Sequence, residues 1–139
     1  MTPSHVAKLA ARLGDWALSI PDSRPPLADE KAALWIPAKL VTPNDRLNQW
    51  EKARRTRQHR YEVCAAWVRA GLPRGYKPKA VTLTRVGVKL MDDDNYIAML
   101  KPTRDQVAEM CGFNDREKLW TYAQDTGADH GVRIEVWWT

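Results

Sequence analysis

The feature that most narrows the fold is a repeated change of hydrophobic period. Residues 80–90 (AVTLTRVGVKL) are rich in β-branched side chains, and in residues 131–138 Val132, Ile134, Val136 and Trp138 alternate onto one face. Both patterns suit strands. Elsewhere apolar residues recur every three or four positions, as on a helix. A chain of 139 residues that switches between these periods is expected to form one α/β (α+β) domain around a single mixed sheet.

In chain order, Ser4 is a plausible N-cap for an amphipathic helix over 4–20, with Val6, Leu9, Leu13, Trp16 and Ile20 on its apolar side. Residues 21–32 (PDSRPPLADEKA) read as a linker, so 1–32 forms an appendage and 33–139 the main domain. Residues 34–41 suggest a first strand, with Pro37 placing it at an edge or a bulge. Turn chemistry over 42–48 precedes a helix over 50–71. Its stripe runs Trp50, Tyr61, Cys64, Ala65, Val68 and Leu72, and Gly71 and Pro73 mark its end. Strand 80–90 changes face near Thr84 and Arg85, which predicts a bulge or strong twist. Residues 95–111 read as a helix that is either kinked at Pro102 or preceded by a short turn. Residues 118–124 and 131–138 are expected to pair as an antiparallel hairpin around Asp125–His130. The order is β-α-β-α-β-β plus the N-terminal helix.

No apolar run is long enough to span a bilayer, and the N-terminus lacks a signal-peptide pattern. Cys64 and Cys111 stand alone without CxxC spacing, so neither a disulfide framework nor a zinc site is implied, and a reducing cytoplasm is the expected compartment. Seven Trp are many for this length. Some can fill the core, and others can sit in an interface or stack on bases.

Asp92-Asp93-Asp94-Asn95 carries the chemistry. Three adjacent carboxylates repel one another, and a hard divalent cation relieves that repulsion. If the strand runs up to this point, Asp92 and Asp94 point the same way and can face one ion. If Asp94 opens a helix, Ala98, Lys101 and Asp105 succeed it along one flank. Aspartate-held Mg²⁺ is suited to phosphodiester hydrolysis, with a lysine nearby to stabilise developing charge. The bland reading is an N-cap cluster favouring a helix dipole.

The chain as a whole is basic, with a formal net charge of +5. Arg46, Lys52, Arg54, Arg55, Arg57 and Arg60 crowd one end of the long helix, and Arg74, Lys77 and Lys79 form a second basic loop. By spacing, Arg54 and Arg57 continue a stripe that becomes apolar further on, so that end is expected to leave the core and meet phosphate. A solubilising charged face is the alternative. Together with the acidic run, DNA is the expected partner, bound through its backbone. His59, within the basic run, is expected at the surface.

The acidic run and the twenty or so residues after it resemble the RusA-type Holliday-junction resolvases. Asp92-Asp93-Asp94-Asn95 matches that family's Asp-x-Asp-Asn, Lys101-Pro-Thr-Arg-Asp105 its Lys-x-x-x-Asp, and Gly112-Phe-Asn-Asp115 its Gly-containing turn leading to aspartate. The resemblance spans roughly 34–138 and is concentrated in 92–115. It implies a RusA-like fold and a Mg²⁺-dependent endonuclease for branched DNA, with Mn²⁺ able to substitute. Asp92, Asp94 and Asp115 would be metal ligands, Lys101 the catalytic lysine, and the working unit a homodimer. The family's usual lysine position is occupied here by Ala98, and its paired turn aspartates by Asn114-Asp115, with Glu117 a possible substitute. A RusA-like DNA-binding or assembly protein without catalysis is the alternative that these departures raise.

Overall fold

A computed structural model describes residues 23–40, 46–113 and 118–138; the helix expected over 4–20 lies outside them. Among the described residues the elements run β1 (Lys31–Pro37), α1 (Gln49–Arg69), β2 (Ala80–Gly87), α2 (Asp93–Met99), α3 (Lys101–Cys111), β3 (Trp120–Thr126) and β4 (Gly131–Trp137). The four strands make one mixed sheet in the order β1-β4-β2-β3. Strand β4 is antiparallel to both β1 and β2, and β3 is parallel to β2. The fold is mixed α+β with one sheet. Among the described residues, no helix is long and apolar enough to cross a membrane.

The expected hairpin between the last two strands is absent, because β2 lies between them. Composition explains the choice. Strand β4 offers Val132, Ile134 and Val136, all buried, and takes the better-covered inner position, whereas β3 carries exposed Thr121, Asp125 and Thr126 and takes an edge. The loop between them must span two strand spacings, about 10 Å, which four residues can reach. It is pinned on both sides of β2: Gly127 N–H donates to Gly87 O at 2.9 Å, and Ala38 N–H to His130 O at 3.2 Å.

One face of the sheet is the core. Ile36, Val132, Ile134, Val136, Val81 and Leu83 lie in register across it and pack against Val63, Trp67, Leu100, Val107 and Met110 from the helices. Trp67 meets Trp138 edge to face, with ring centres 5.9 Å apart. Burying two indoles requires partners for both N–H groups. Trp67 donates to Pro73 O at 3.0 Å and Trp138 to Tyr76 O at 3.2 Å. Cys64 and Cys111 are buried and not disulfide-bonded among the described residues, and burial pushes the Cys111 thiol far above its ordinary range.

Several sequence expectations shift. Strand β1 begins at Lys31, inside the stretch read as linker, and the preceding residues are docked: Trp138 N–H donates to Glu30 O at 2.8 Å and Arg74 N–H to Ser23 Oγ at 2.6 Å. Pro37 ends an edge strand, where its missing N–H is tolerated. The β2 ladders run without a bulge, so Arg85 stays in phase with Val81 and Leu83 on the core face. It is 7 % exposed and turns its Nη1 back onto Lys89 O at 2.6 Å. At Pro102 the chain forms two helices that break at Leu100, with proline in the first turn of the second.

Helix α1 is capped by Asn48, whose side chain accepts from Glu51 N–H at 2.8 Å. Its buried side matches the expected stripe only toward its C-terminal end, where Cys64 and Ala65, and Leu72 just beyond it, are buried. Trp50 and Tyr61 are exposed, and His59, Val63, Cys64, Ala65 and Trp67 face inward. Packing against α3 sets that phase. His59 Nε2 lies 2.6 Å from Thr103 Oγ1, and Arg60 donates to Gln106 Oε1 at 3.1 Å and Glu109 Oε2 at 2.7 Å.

Gly131, at the start of β4, allows the close approach of β1. A Cβ there would stand 2.4 Å from the Trp35 ring and 2.8 Å from Ile36 O. The indole could swing outward, but the carbonyl belongs to the strand backbone. Gly131→Ala is therefore expected to destabilise the fold by about 1–3 kcal/mol, read as a lowered urea midpoint with unchanged slope.

Candidate functional site

The acidic run does not stand at a strand end. Strand β2 stops at Gly87, and exposed Val88, Lys89 and Leu90 lead away from it. Asp92 then caps α2 from extended backbone (φ −60°, ψ 146°), and its carbonyl accepts from Asn95 and Tyr96 N–H at 3.0 and 3.1 Å. Asp93 and Asp94 occupy the first helical turn. The extended i, i+2 geometry expected to aim Asp92 and Asp94 at one ion is thus replaced by a helix start, where residues two apart do not share a side. All three aspartates are exposed. The acidic first turn does favour the helix dipole, as the bland reading requires.

What fixes this segment is a side chain the sequence did not single out. Gln124 on β3 holds Met91 at two points: Met91 N–H donates to Gln124 Oε1 at 2.9 Å, and Gln124 Nε2 donates to Met91 O at 2.7 Å. Arg85, its cross-strand neighbour, holds Lys89 O. Residues 88–91 are therefore tied at two places to the end of the sheet. Removing both Gln124 bonds leaves two half-buried backbone groups to be resolvated. Gln124→Ala is expected to cost about 1–3 kcal/mol, with faster amide exchange confined to 88–95. Unchanged exchange there would remove the clamp from the account.

Lys101 opens α3. Its ammonium bonds Asp105 Oδ2 at 2.7 Å while the side chain stays 61 % exposed. Both residues line a cleft of about 760 Å³ between α1 and the α2–α3 junction, floored by residues 37–40. Lys52, Arg54 and Arg55 of α1 face it from the other side, and Lys39 adds a fifth cation against the carboxylates of Glu62 and Asp105. Ala98 also lines the cleft, and Asp94 sits one helical turn before it, on the same side of α2. The motif lysine and part of the basic run thus come together around one concavity.

The predicted cations differ in how they are engaged. Arg54 and Arg55 pair with Glu51 at 2.6 and 3.1 Å, and these bonds hold its carboxyl down to about 2. Lys52 and Arg57 have no carboxylate partner among the described residues. Arg46 is exposed just before α1. Arg60 is a helix–helix bridge rather than a surface cation, and Arg74 is 4 % exposed, too buried to meet a duplex. Exposed Lys77 and Lys79 lie beyond the far end of α1, a 21-residue helix. That is about 30 Å from its basic start, so they belong to a different surface. Arg54 and Arg57 do leave the core, as expected. Both are exposed, and the stripe continues instead through His59 and half-buried Thr56.

His59 corrects the surface expectation most sharply. It is 6 % exposed and lines the cleft, and its Nδ1 is buried without a hydrogen-bond partner among the described residues. Burial pushes its pKa down to about 4, so the ring is neutral at physiological pH. Its spacing with Val63 and Trp67, four residues apart each time, was the available sign that it faces inward.

Asp92 and Asp94 offer hard carboxylate oxygens suited to Mg²⁺. Asp115, with Asn114 and Glu117, lies outside the described residues, and among those described no three His, Cys, Asp or Glu side chains gather to hold a metal. Gly112 ends α3 at φ 72°, and Phe113 stacks on Trp120 at 5.6 Å. Compared with known proteins, the chain matches no family model and no curated protein.

Proposed function

We propose that this protein is a Mg²⁺-dependent endonuclease acting on branched DNA, of the RusA type that its motifs resemble. The observation that carries the reading is the cleft, in which Lys101 and the cations of α1 share one concavity beside the helix that begins with the acidic run. Lys52 and Arg55 would neutralise backbone phosphate. Lys101 would stabilise charge developing on the scissile phosphate, after exchanging its bond to Asp105 for one to substrate. Asp94, one turn before cleft-lining Ala98, would hold the cation, with Asp92 and Asp115 joining it by the resemblance. Such an ion supplies an activated water and charge neutralisation. By the same resemblance the working unit is a homodimer.

The test is incubation of the full chain with a labelled synthetic four-way junction in Mg²⁺, and separately in Mn²⁺. Paired nicks at the branch support the reading. Binding without cutting, in both metals and over a set of crossover sequences, would instead establish the non-catalytic DNA-binding alternative, to which the closed Lys101–Asp105 pair lends some weight. Failure to bind removes both.

A further inference from the structure

The cleft is more elaborate than phosphate binding requires. Backbone tracking needs exposed cations, and the cleft's mouth supplies them in Arg55 and Lys101, whose side chains are 44 % and 61 % exposed. Its interior is different. Leu40, Met99 and Pro102 give it apolar walls, Met99 is 5 % exposed, and His59 is 6 % exposed. A volume of about 760 Å³ falls within the range of sites that enclose a small organic ligand.

The geometry points to a pocket for one unpaired nucleotide of the DNA, its base inside against His59 and its phosphate at the Lys52, Arg55 and Lys101 rim. This inference rests on the nucleic-acid reading above and extends it to how the branch is engaged.

Two observations favour a base over a second phosphate. The first is the imidazole. Thr103 is fully buried and fixes one ring nitrogen of His59 at 2.6 Å, leaving Nδ1 as a buried polar atom with no partner among the described residues. Such an atom is normally satisfied; it is covered in this conformation, but His59 lines the cleft, so a small shift of the ring on ligand entry would let a ligand satisfy it. Whichever tautomer Thr103 selects, Nδ1 offers either a donor or an acceptor, and base edges present both. The second is Glu62. A carboxylate in the lining repels phosphate but accepts from a base amino group. Gln58, bonded to Glu62 at 3.2 Å, adds an amide beside it. The apolar walls suit the flat face of a base, and bases near a branch point are the easiest to unstack.

The experiment uses the full chain and four-way junctions carrying 2-aminopurine at single positions around the crossover, in Ca²⁺ to prevent cutting. Anisotropy of a distal dye reports binding, and 2-aminopurine fluorescence reports unstacking in the same sample. A several-fold rise at one or two positions, in step with binding, is expected. Ala98→Trp, which fills the cleft from an exposed helical position, should abolish the rise, and His59→Gln should weaken it. Binding with flat fluorescence at every position overturns the pocket and leaves the nuclease reading intact. An undiminished rise in Ala98→Trp does the same, since unstacking would then occur elsewhere. No binding overturns both. If free deoxynucleoside monophosphate protects the cleft while the junction signal stays flat, a DNA-borne nucleotide is excluded.

Discussion

Junction cleavage is expected to fall by about 10²–10³-fold or more when Asp94 becomes asparagine, while junction affinity holds or rises. Asparagine keeps the size and one oxygen of aspartate but loses the charge that would hold a divalent cation. Asp94 lies in the first turn of α2, one turn from cleft-lining Ala98. Losing a carboxylate there also removes repulsion toward phosphate, so binding should tighten most at low salt, where charges are least screened. The folding cost is small, since an exposed first-turn carboxylate contributes about 0.3–1 kcal/mol through the helix dipole. Melting curves should therefore nearly superimpose. Asp93→Asn makes the same dipole change and is the internal control. Single-turnover cutting in Mg²⁺ and gel-shift titration in Ca²⁺ read the two effects separately. If Asp94→Asn cuts as fast as the parent chain, the acidic run is only a helix start.

The contrast between Asp94 and Gln124 shows how far the sequence could be read. The acidic run, Lys101 and the basic helix are local patterns; Lys101 and most of the basic run stand on helices as their spacing implied, whereas the acidic run opens a helix instead of closing a strand. Sheet order is not local. The short connection Asp125–His130 suggested a hairpin, because consecutive strands usually pair. What overrode it was the burial demand of Val132, Ile134 and Val136, which favours a strand flanked on both sides. Helix phase was legible for Cys64, Ala65 and Leu72 but not for the rest of the stripe, for a related reason. Trp50 and Tyr61 are large and apolar enough to claim a core stripe, but the position of α3 selected His59, Val63 and Trp67 instead. The roles of Arg60 and Gln124 were invisible, since their partners lie 46 and 33 residues away. An arginine in a basic run looks the same whether it meets phosphate or a glutamate on the next helix.

His59 yields the second large effect, as a pH dependence of stability. Its ordinary pKa of 6.5 is pushed down to about 4 in the folded chain by burial. The folded state thus binds this proton less readily than the unfolded state. Linkage sets the sign: stability from keeping the ring neutral is complete above about pH 6.5 and is lost as pH falls toward 4. A shift of that size corresponds to about 3 kcal/mol over the interval, with a slope approaching about 1.4 kcal/mol per pH unit. Protonation would place a cation among Lys52, Arg55 and Lys101, which line the same cleft, and this reinforces the direction. His59→Gln can still reach Thr103 but cannot titrate, so it should be less stable than the parent at pH 7.5 and converge on it near pH 4.5. His130→Gln, at an exposed position outside the helices, is the control for loss of an imidazole as such. Urea unfolding across this range, with the His59 ring followed by NMR, separates the outcomes. A ring midpoint near 6.5, or parallel pH profiles for the parent and His59→Gln, would show that the imidazole is solvated. The cleft would then lose the neutral, buried nitrogen on which its selectivity for a base depends.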